Sequence, residues 1–356
     1  MVKKEHLIIL FGGRSVEHEI SIKSAINVVT HLDKDRFKVS TIGIAKSGDW
    51  FLVDDINQPI VSGVPIVLSL SVKKPSFRSL GSEIDTPIEI VFPILHGTDG
   101  EDGSIQGLFQ ALNVVVIGSN VLGSAISMDK IIAKKLLEHA GIPVVPYLCF
   151  SKQDKLSFQD ISITLGLPFI VKAGNLGSSV GISKVSSEET FHAALQDSFQ
   201  YGNEILIESF VKCRELECGI LGNEQLASTW PGEITLIKNY DFYTYEAKYL
   251  DKEAIRIDIP AKVAVPVQLT IRELCEKVFK VLKCNDFARV DVFLTDDNKI
   301  MINEINSIPG FTDVSMFPGL WAHMGLTYPE LITKVINLGI ERWQKEQQYA
   351  TDYEKH

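Results

Sequence analysis

Short apolar runs alternate with amphipathic segments in the first third of the chain. Residues 7–11 and 88–95 are continuous apolar runs of strand length, and residues 37–45 and 114–117 predict two further strands. Residues 15–32 carry apolar side chains at helical spacing. This alternation of strands and helices predicts a parallel sheet with helices on its faces, which is the α/β class.

The pattern changes after the fourth of these strands. A glycine- and serine-rich stretch at 118–123 predicts a boundary, and a helix at 127–140 follows it and ends at a glycine. Further strands are predicted at 144–150, 168–171, 181–185 and 204–210. A last part begins near Arg214 and ends in an amphipathic helix at 328–347. The chain has 356 residues, which is enough for two or three domains.

Composition narrows the class of protein. The formal net charge of −10 argues against a general nucleic-acid binder, which would be expected to carry a basic surface. Five cysteines, an odd number with no CxxC pair, indicate reduced thiols. No apolar run approaches the length of a membrane span. We therefore expect a cytoplasmic protein without a membrane partner.

Two loops follow predicted strands of the first sheet, where ligands of parallel sheets bind. The first loop, residues 12–17, lacks the G-x-G-x-x-G spacing of a dinucleotide site. Glu17 lies near a helix start, where its charge interacts favourably with the helix dipole, or it binds a substrate ammonium. The second loop, residues 96–103, is polar and glycine-rich and is the stronger site candidate. No catalytic role for His96 follows from the sequence alone.

Lys172 precedes a loop rich in glycine and serine, residues 174–181, between two predicted strands. No Gly-Lys-Ser/Thr follows these glycines and no helix opens there, so the segment is not a P-loop. Its N–H groups and hydroxyls could fold over phosphates, with Lys172 as a point charge. The alternative is an ordinary glycine-rich turn.

The strongest candidate site lies in residues 288–305, where a polar turn separates two strand-like runs and predicts a hairpin. With the turn centred on its Asp-Asn pair, Asp291 lies opposite Glu304. Arg289 then lies opposite Asn306, and all four side chains share one face. Two carboxylates and an amide oxygen so close together suit Mg²⁺. The alternative is a solvated face with an Asp–Arg salt bridge.

Two further loops carry candidate chemistry. The Pro-Gly turn after the hairpin places the Gly310 N–H beside the predicted metal site, where it could face a developing oxyanion. Residues 241–250 are dense in aromatic side chains. They predict either an amphipathic surface strand or a mobile loop that closes on the substrate and excludes water.

These motifs, in this order, resemble those of the D-alanine–D-alanine ligases. The matching segments run from about residue 10 to about residue 340 and read GGRSVEHEIS, HGTDGEDGSIQG, SMDK, VKAGNLGSSVG, YEAKYL, ARVDVF and NEINSIPGFT. Each segment is weak evidence alone, and their combination is specific. The resemblance implies ATP-dependent ligation of two D-alanines to D-alanyl-D-alanine through an acyl phosphate, for peptidoglycan precursor synthesis.

The resemblance also implies an architecture of the α/β class. An N-terminal parallel-sheet domain at 1–121 precedes a two-domain ATP-grasp, with a central ATP-lid domain at 122–212 and a catalytic domain at 213–356. ATP lies between the last two domains. The implied partners are D-alanine and ATP, and the implied metal cofactor is a pair of Mg²⁺ ions, for which Mn²⁺ can substitute. The family further implies a cytoplasmic homodimer.

Matching positions carry the family's site residues onto this chain. The catalytic group is Glu17, Ser178, Tyr249, Arg289 and Gly310. The substrate-binding group is His96, Ser315 and Met316. The ATP-binding group is Lys130, Lys172, Ser179, Glu208, Glu215, Phe242 and Lys248. The metal ligands are Asp291, Glu304 and Asn306.

The resemblance gives several of these residues separate roles. Glu17 binds the ammonium of the first D-alanine, and His96 lies near its carboxylate. Arg289 and the Gly310 N–H stabilise the tetrahedral intermediate. The ATP-binding group divides between phosphates and nucleoside, and its two glutamates read adenine and ribose. Ser315 and its neighbour Met316 face the second D-alanine.

This chain departs from many relatives at two positions, Ala173 in place of Pro and Met316 in place of Leu. The first leaves the role of Lys172 intact, and the second blurs the pocket of the second substrate. The alternatives are a D-alanine–D-lactate or D-alanine–D-serine ligase, another ATP-grasp carboxylate–amine ligase, and a nucleotide-binding regulatory module. Tyr249 favours an amine as the second nucleophile.

Overall fold

An eight-stranded sheet forms the first part of the chain in the computed structural model, which describes residues 4–175, 181–237 and 255–349. Its strands, in chain order, are β1 Glu5–Gly12, β2 Phe37–Ile44, β3 Trp50–Leu52, β4 Val64–Ser69, β5 Ser76–Ser79, β6 Thr86–Pro87, β7 Ile90–Ile94 and β8 Val115–Val116. Across the sheet the order is β6-β5-β4-β3-β2-β1-β7-β8. Its helical segments are α1 His18–His31, a 3₁₀ helix Ile60–Ser62 and α2 Ser104–Ala111.

Only half of this sheet is parallel. The neighbours β2, β1, β7 and β8 run parallel, as the alternating pattern predicts. Strands β3 to β6 continue the same sheet as an antiparallel meander, which the sequence pattern did not predict. Strand β4 is exposed or half-buried along its whole length. It therefore lacks the continuous apolar run from which β1 and β7 were predicted.

The middle part contains a four-stranded antiparallel sheet of order β11-β10-β12-β9. Its strands are β9 Tyr147–Ser151, β10 Phe169–Ala173, β11 Ile182–Val185 and β12 Glu204–Ser209. The helices of this part are α3 Val121–Met128, α4 Lys130–His139, α5 Phe158–Leu165 and α6 Glu188–Ser198.

One helix predicted for this part begins at the wrong residue. The segment at 127–140 is divided, because Asp129 leaves the helical conformation at the end of α3 and caps the start of α4. Its carboxylate accepts hydrogen bonds from the N–H groups of Ile131 and Ile132. The cap fixes Lys130 as the first residue of α4.

The last part contains a third sheet of order β16-β15-β13-β17-β18, with β14 paired to β13. Its strands are β13 Cys213–Gly222, β14 Leu226–Ser228, β15 Gly232–Leu236, β16 Ile255–Asp258, β17 Phe287–Thr295 and β18 Ile300–Asn306. Its described helices are α7 Val265–Val281, α8 Met316–His323 and α9 Tyr328–Glu346.

The first and third sheets share one hydrophobic core. Phe92 of β7 meets Phe287 of β17 edge to face, with ring centroids 6.1 Å apart. Phe311 contacts both rings at 5.8 and 5.7 Å, and Phe317 lies 5.6 Å from Phe311. All four side chains are fully buried. The first and last parts of the chain therefore bury each other's surfaces.

The predicted α/β class is confirmed, and the antiparallel meander extends the predicted parallel sheet. The domain bounds between 121 and 122 and between 212 and 213 stay a prediction. Among the described residues, none of the helices combines the length and the apolar character needed to cross a bilayer.

A buried ion pair between Asp286 and Arg342 joins the first and last parts of the chain. Asp286 is fully buried and accepts hydrogen bonds from Gly118 N at 2.8 Å, Asn223 Nδ2 at 3.1 Å and Arg342 Nε at 3.1 Å. Arg342 Nη2 also donates to Val116 O at 2.7 Å, so one side chain of α9 spans the first and third sheets. Burial alone would lower the pKa of Arg342, but the charge of Asp286 outweighs it and raises that pKa.

We expect Arg342→Met to lower the free energy of unfolding by about 3–5 kcal/mol, because it leaves the Asp286 charge buried without its cation. Lys345→Met is the matched control, since Lys345 lies on the same helix and forms an exposed pair with Glu224. Its loss should stay below about 1 kcal/mol. Denaturant unfolding of both variants measures the difference, and equal losses would contradict this account of the pair.

Candidate active site

The predicted hairpin is formed by β17 and β18, and its register at the site is the predicted one. Asp291 lies opposite Glu304, and Arg289 lies opposite Asn306. Val290, between Arg289 and Asp291, points into the core, so the four polar side chains lie on the other face of the sheet. The hairpin therefore brings the two carboxylates, the amide and the guanidinium together.

Two local deviations cancel to give this register. The turn contains three residues rather than two, because Thr295 N donates to Lys299 O. A β-bulge near Asp291 then inserts Asn303 into β18 and shifts the pairing back by one residue. The bulge also aims Asn303 at the middle sheet, where its Oδ1 lies 3.4 Å from Lys172 Nζ.

Arg289 lies between two carboxylates. Its Nε and Nη2 donate to the two oxygens of Asp291 at 2.7 Å each, and its Nε lies 2.8 Å from Glu217 Oε2 on β13. Burial alone would lower the pKa of Arg289, but the charges of Asp291 and Glu217 raise it well above its usual value. The Asp–Arg salt bridge considered as an alternative is thus present, but on a largely buried face rather than a solvated one.

A second charge cluster lies on the middle sheet. Glu208 of β12 is buried, and its two oxygens lie 2.5 Å from Lys134 Nζ and 2.5 Å from Lys172 Nζ. Burial alone would raise the pKa of Glu208, but the two ammonium groups outweigh it and lower that pKa to about 2. Glu208 is therefore ionised at neutral pH and holds both lysines in place.

Helix α4 links this cluster to the hairpin. Lys130 Nζ lies 3.6 Å from Glu304 Oε2, and the Lys130 N–H donates to Gly174 O at the end of β10. Lys130 and Lys134 are four residues apart, so they share one face of α4. That helix therefore presents one lysine to the hairpin and the other to Glu208.

The first part of the chain contributes a third group of side chains. Glu17 occupies the N-cap position of α1 and is buried. Glu101 Oε2 accepts from Gly97 N at 2.7 Å, and its Oε1 accepts from Ile308 N at 3.1 Å. Burial and the neighbouring Glu17 raise the pKa of Glu101 to about 8. Burial also lowers the pKa of His96.

The first and third of these groups, together with Lys130, line one cavity of about 800 Å³. Its polar lining combines Glu17 and His96 from the first part of the chain, Lys130 from α4, and Arg289 and Glu304 from the hairpin. Its apolar wall is formed by Ile234, Ile255, Ile257 and Met316. A volume of this size fits a small-molecule ligand.

Gly310 and Ser315 are packed against each other on this wall. A Cβ placed on Gly310 would lie 2.7 Å from Ser315 Oγ, closer than real Cβ contacts allow. Ser315 Oγ also accepts from Thr312 N at 3.0 Å and so closes the turn. A side chain at position 310 would therefore displace the Ser315 hydroxyl from its place in this turn.

Comparisons with known proteins agree on one family. Residues 6–119 match the model of the D-ala D-ala ligase N-terminus, and residues 136–337 match that of the D-ala D-ala ligase C-terminus. The chain belongs to the D-alanine–D-alanine ligase family. The ATP-grasp expectation for the fold of this ligase is thereby confirmed.

Individual relatives cover nearly the whole length of the ligase. A D-alanine–D-alanine ligase of Oceanobacillus iheyensis is 45% identical over 97% of this chain and 98% of its own. The structure of the Coxiella burnetii D-alanine–D-alanine ligase has a TM-score of 0.86 at 35% identity, covering 98% of this chain and 97% of that one. The VanG D-Ala:D-Ser ligase of Enterococcus faecalis has a TM-score of 0.85 at 30% identity, covering 95% and 100%.

The ligase brings many of its predicted site residues to the cavity. Those that line it are Glu17, His96, Lys130, Arg289, Glu304, Asn306, Gly310, Ser315 and Met316. Asp291 lies behind Arg289, and Lys172 and Glu208 lie in the adjoining charge cluster. Glu215 is on β13 opposite Phe293. Outside the described residues lie Ser178, Ser179, Phe242, Lys248 and Tyr249.

Several residues of the ligase site were missed from the sequence. The sequence could have indicated Lys134, because it lies one helical turn after Lys130 and so on the same face of the helix. It could have indicated Glu217 too, because that residue alternates with Glu215 on a strand. Nothing in the sequence indicated Asn303, because the alternation of polar and apolar residues does not reveal a β-bulge. The carboxylate of Glu208 forms ion pairs with two lysines. The prediction that Glu208 contacts the nucleoside did not foresee these ion pairs.

We expect Glu208→Gln to destabilise the ligase at neutral pH by about 3 kcal/mol. This value is the free energy that corresponds to the lowering of the Glu208 pKa in the folded state. A carboxyl whose folded-state pKa is lowered contributes stability above its unfolded pKa and loses it as the pH falls towards the folded value. The deficit of the variant should thus be full above pH 4.5 and shrink towards pH 2.

Urea unfolding of parent and variant at pH 7, 5 and 3 measures that deficit. Glu204→Gln is the control, because Glu204 is exposed at the start of the same strand. A deficit of Glu208→Gln that is the same at all three pH values would show that charge is not its source.

Proposed function

We propose that this chain joins two D-alanines to D-alanyl-D-alanine at the expense of ATP, for peptidoglycan precursor synthesis. The observation that carries the proposal is that Glu17, His96, Arg289 and Gly310 all line one cavity. A carboxylate that can bind an ammonium thus shares one space with two donors that can bind an oxyanion. An amino-acid ligase needs both in the same place.

The chemistry follows from the weakness of a carboxylate as an acyl donor. Phosphorylation by ATP converts the first D-alanine to an acyl phosphate, while Glu17 holds its ammonium. The amine of the second D-alanine attacks the acyl carbon. The Arg289 guanidinium and the Gly310 N–H stabilise the tetrahedral oxyanion, and phosphate leaves as the amide forms.

Asp291, Glu304 and Asn306 are the residues that would hold Mg²⁺ or Mn²⁺. Their oxygens are the hard donors that such ions prefer, and they share one largely buried face. Within 4–175, 181–237 and 255–349, no group of three or more His, Cys, Asp and Glu side chains is placed to hold a metal. The set proposed here therefore consists of two carboxylates and the Asn306 amide oxygen. When bound, the metal offsets charge on the transferring phosphoryl group.

Lys130 and Lys172 would contact the ATP phosphates. Both ammonium groups lie beside the hairpin, and Glu208 keeps Lys172 in place before a nucleotide arrives. Preorganised cations of this kind stabilise a phosphoryl group without moving during the reaction. The remaining proposed contacts, Ser178, Ser179, Phe242, Lys248 and Tyr249, lie outside the described residues.

The second substrate is D-alanine in this proposal. Tyr249 favours an amine over a hydroxyl acid, but a D-Ala:D-Ser ligase is among the similar structures. D-Serine is therefore the alternative acceptor with an observation in its favour. A cytoplasmic homodimer with three domains, at 1–121, 122–212 and 213–356, completes the proposal by analogy with the family.

The test is phosphate release from ATP with a panel of D- and L-amino acids and D-lactate, with product identification by mass. We expect D-alanine alone to support turnover and to yield its dipeptide. Turnover that requires D-serine or D-lactate beside D-alanine would replace the proposed acceptor, and turnover with none of these acids would overturn the proposed function.

We expect Glu304→Gln to lower kcat by at least about a hundred-fold, because one metal oxygen with its charge is lost from the phosphoryl-transfer site. Asp297→Asn is the matched control, since Asp297 is an exposed carboxylate in the turn of the same hairpin. Its kcat should equal that of the parent.

Both variants are assayed at several Mg²⁺ concentrations, with circular dichroism as the check on folding. Parent-like turnover of Glu304→Gln at ordinary Mg²⁺ would remove Glu304 from the proposed metal site.

A further inference from the structure

The loop that carries Gly310 is held by side chains of another part of the chain. Ile308 and Phe311 flank the Pro309–Gly310 pair, and their main-chain groups bond to residues of α1 and of the loop at 96–103. Phe311 itself is fully buried in the core shared by the first and third sheets. The position of the Gly310 N–H therefore depends on the first part of the chain.

Three hydrogen bonds, made through His96 and Ser24, connect Ile308 to Phe311. His96 Nδ1 lies 3.0 Å from Ile308 O, and His96 Nε2 lies 3.2 Å from Ser24 Oγ. Ser24 Oγ in turn lies 3.2 Å from Phe311 N. With the intervening backbone, these contacts close a ring around Pro309 and Gly310.

The direction of each bond follows from its end groups. The Ile308 carbonyl can only accept, so Nδ1 of His96 carries the proton. Nε2 of the neutral ring then accepts, and the Ser24 hydroxyl donates to it. The Phe311 N–H can only donate, so it points at the Ser24 oxygen. Each donor in the ring has one acceptor, and the Ser24 hydroxyl both donates and accepts, which an alanine methyl group cannot do.

Two contacts outside the ring hold the remaining main-chain groups. Glu101 Oε1 accepts from Ile308 N at 3.1 Å, and Asn27 Nδ2 donates to Phe311 O at 2.8 Å. The N–H and the carbonyl of both flanking residues are thus bound by side chains from residues 4–121. Pro309 and Gly310, which lie between these two anchored residues, both line the cavity.

We propose that Ser24 is a positioning residue, which acts through His96 and the main chain of Phe311 to aim the Gly310 N–H at the tetrahedral intermediate. The proposal rests on the proposed function for the identity of that intermediate. Ser24 is buried and does not line the cavity, so it acts on the reaction through the loop and not by touching substrate. An N–H that stabilises charge must be held in place before the charge forms.

The test compares Ser24→Ala with Ser21→Ala. Ser21 lies one turn earlier on α1, is equally buried, and likewise joins two main-chain groups, accepting from Gly12 N at 2.7 Å and donating to Ile94 O. Neither of those groups belongs to the Gly310 loop. The two variants therefore lose similar buried hydrogen bonds, and only one of them loosens the loop.

We expect Ser24→Ala to lower kcat roughly ten-fold relative to Ser21→Ala, with the KM values for ATP and amino acid within about two-fold. Affinity for a dipeptide analogue with a tetrahedral phosphinate in place of the amide carbonyl should fall by the same factor as kcat. Both variants should lose thermal stability to a similar extent. A kcat of Ser24→Ala equal to that of Ser21→Ala, or unchanged affinity for the phosphinate, would overturn the proposal.

Ser24→Cys covers the case in which the alanine variant does not fold, because it keeps the volume and a weak donor. A kcat clearly below that of the parent enzyme supports the proposal, and a parent-like kcat overturns it. The comparison is made with whichever amino acids the parent enzyme ligates. Failure of D-alanine as substrate then counts against the proposed function, while the ratio between the serine variants decides the role of Ser24.

Discussion

The pairing of β17 with β13 on one side and β18 on the other is the constraint on which the site depends. It sets Asp291 between Glu217 and Glu304, and it leaves Arg289 as the cation that can reach two of these carboxylates. Like charges held that close repel strongly unless cations lie among them. The strand pairing therefore creates a need for positive charge, which Arg289 meets within the protein.

The lysines complete this arrangement from a different sheet. Lys130 approaches Glu304 from the start of α4, and Glu208 fixes the ammonium groups of Lys134 and Lys172 on the neighbouring surface. Carboxylates and cations thus alternate from the hairpin to the middle sheet. Their mutual attraction fixes the positions of these side chains relative to one another in the folded chain.

The sequence predicted the site hairpin better than its turn. Asp291 and Glu304 do face each other, but the extra turn residue and the bulge at Asn303 had to cancel for that prediction to succeed. Strong apolar periodicity located β1, α1 and β7, whereas the half-exposed meander β3 to β6 left no such signal. The position of Glu208 between two lysines could not be predicted from the sequence, because it depends on the register of β10 with β12.

The shared aromatic core has a consequence for the way such a chain can be recombined. Phe311 packs between Phe92 and Phe287, so the loop that carries Gly310 is built partly on the first sheet. A chimaera that joins the first third of one homologue to the remainder of another would transplant half of this packing without its counterpart. Viable crossover points should therefore keep these aromatic neighbours together, and the first sheet should be inherited as a unit with the loop that it supports.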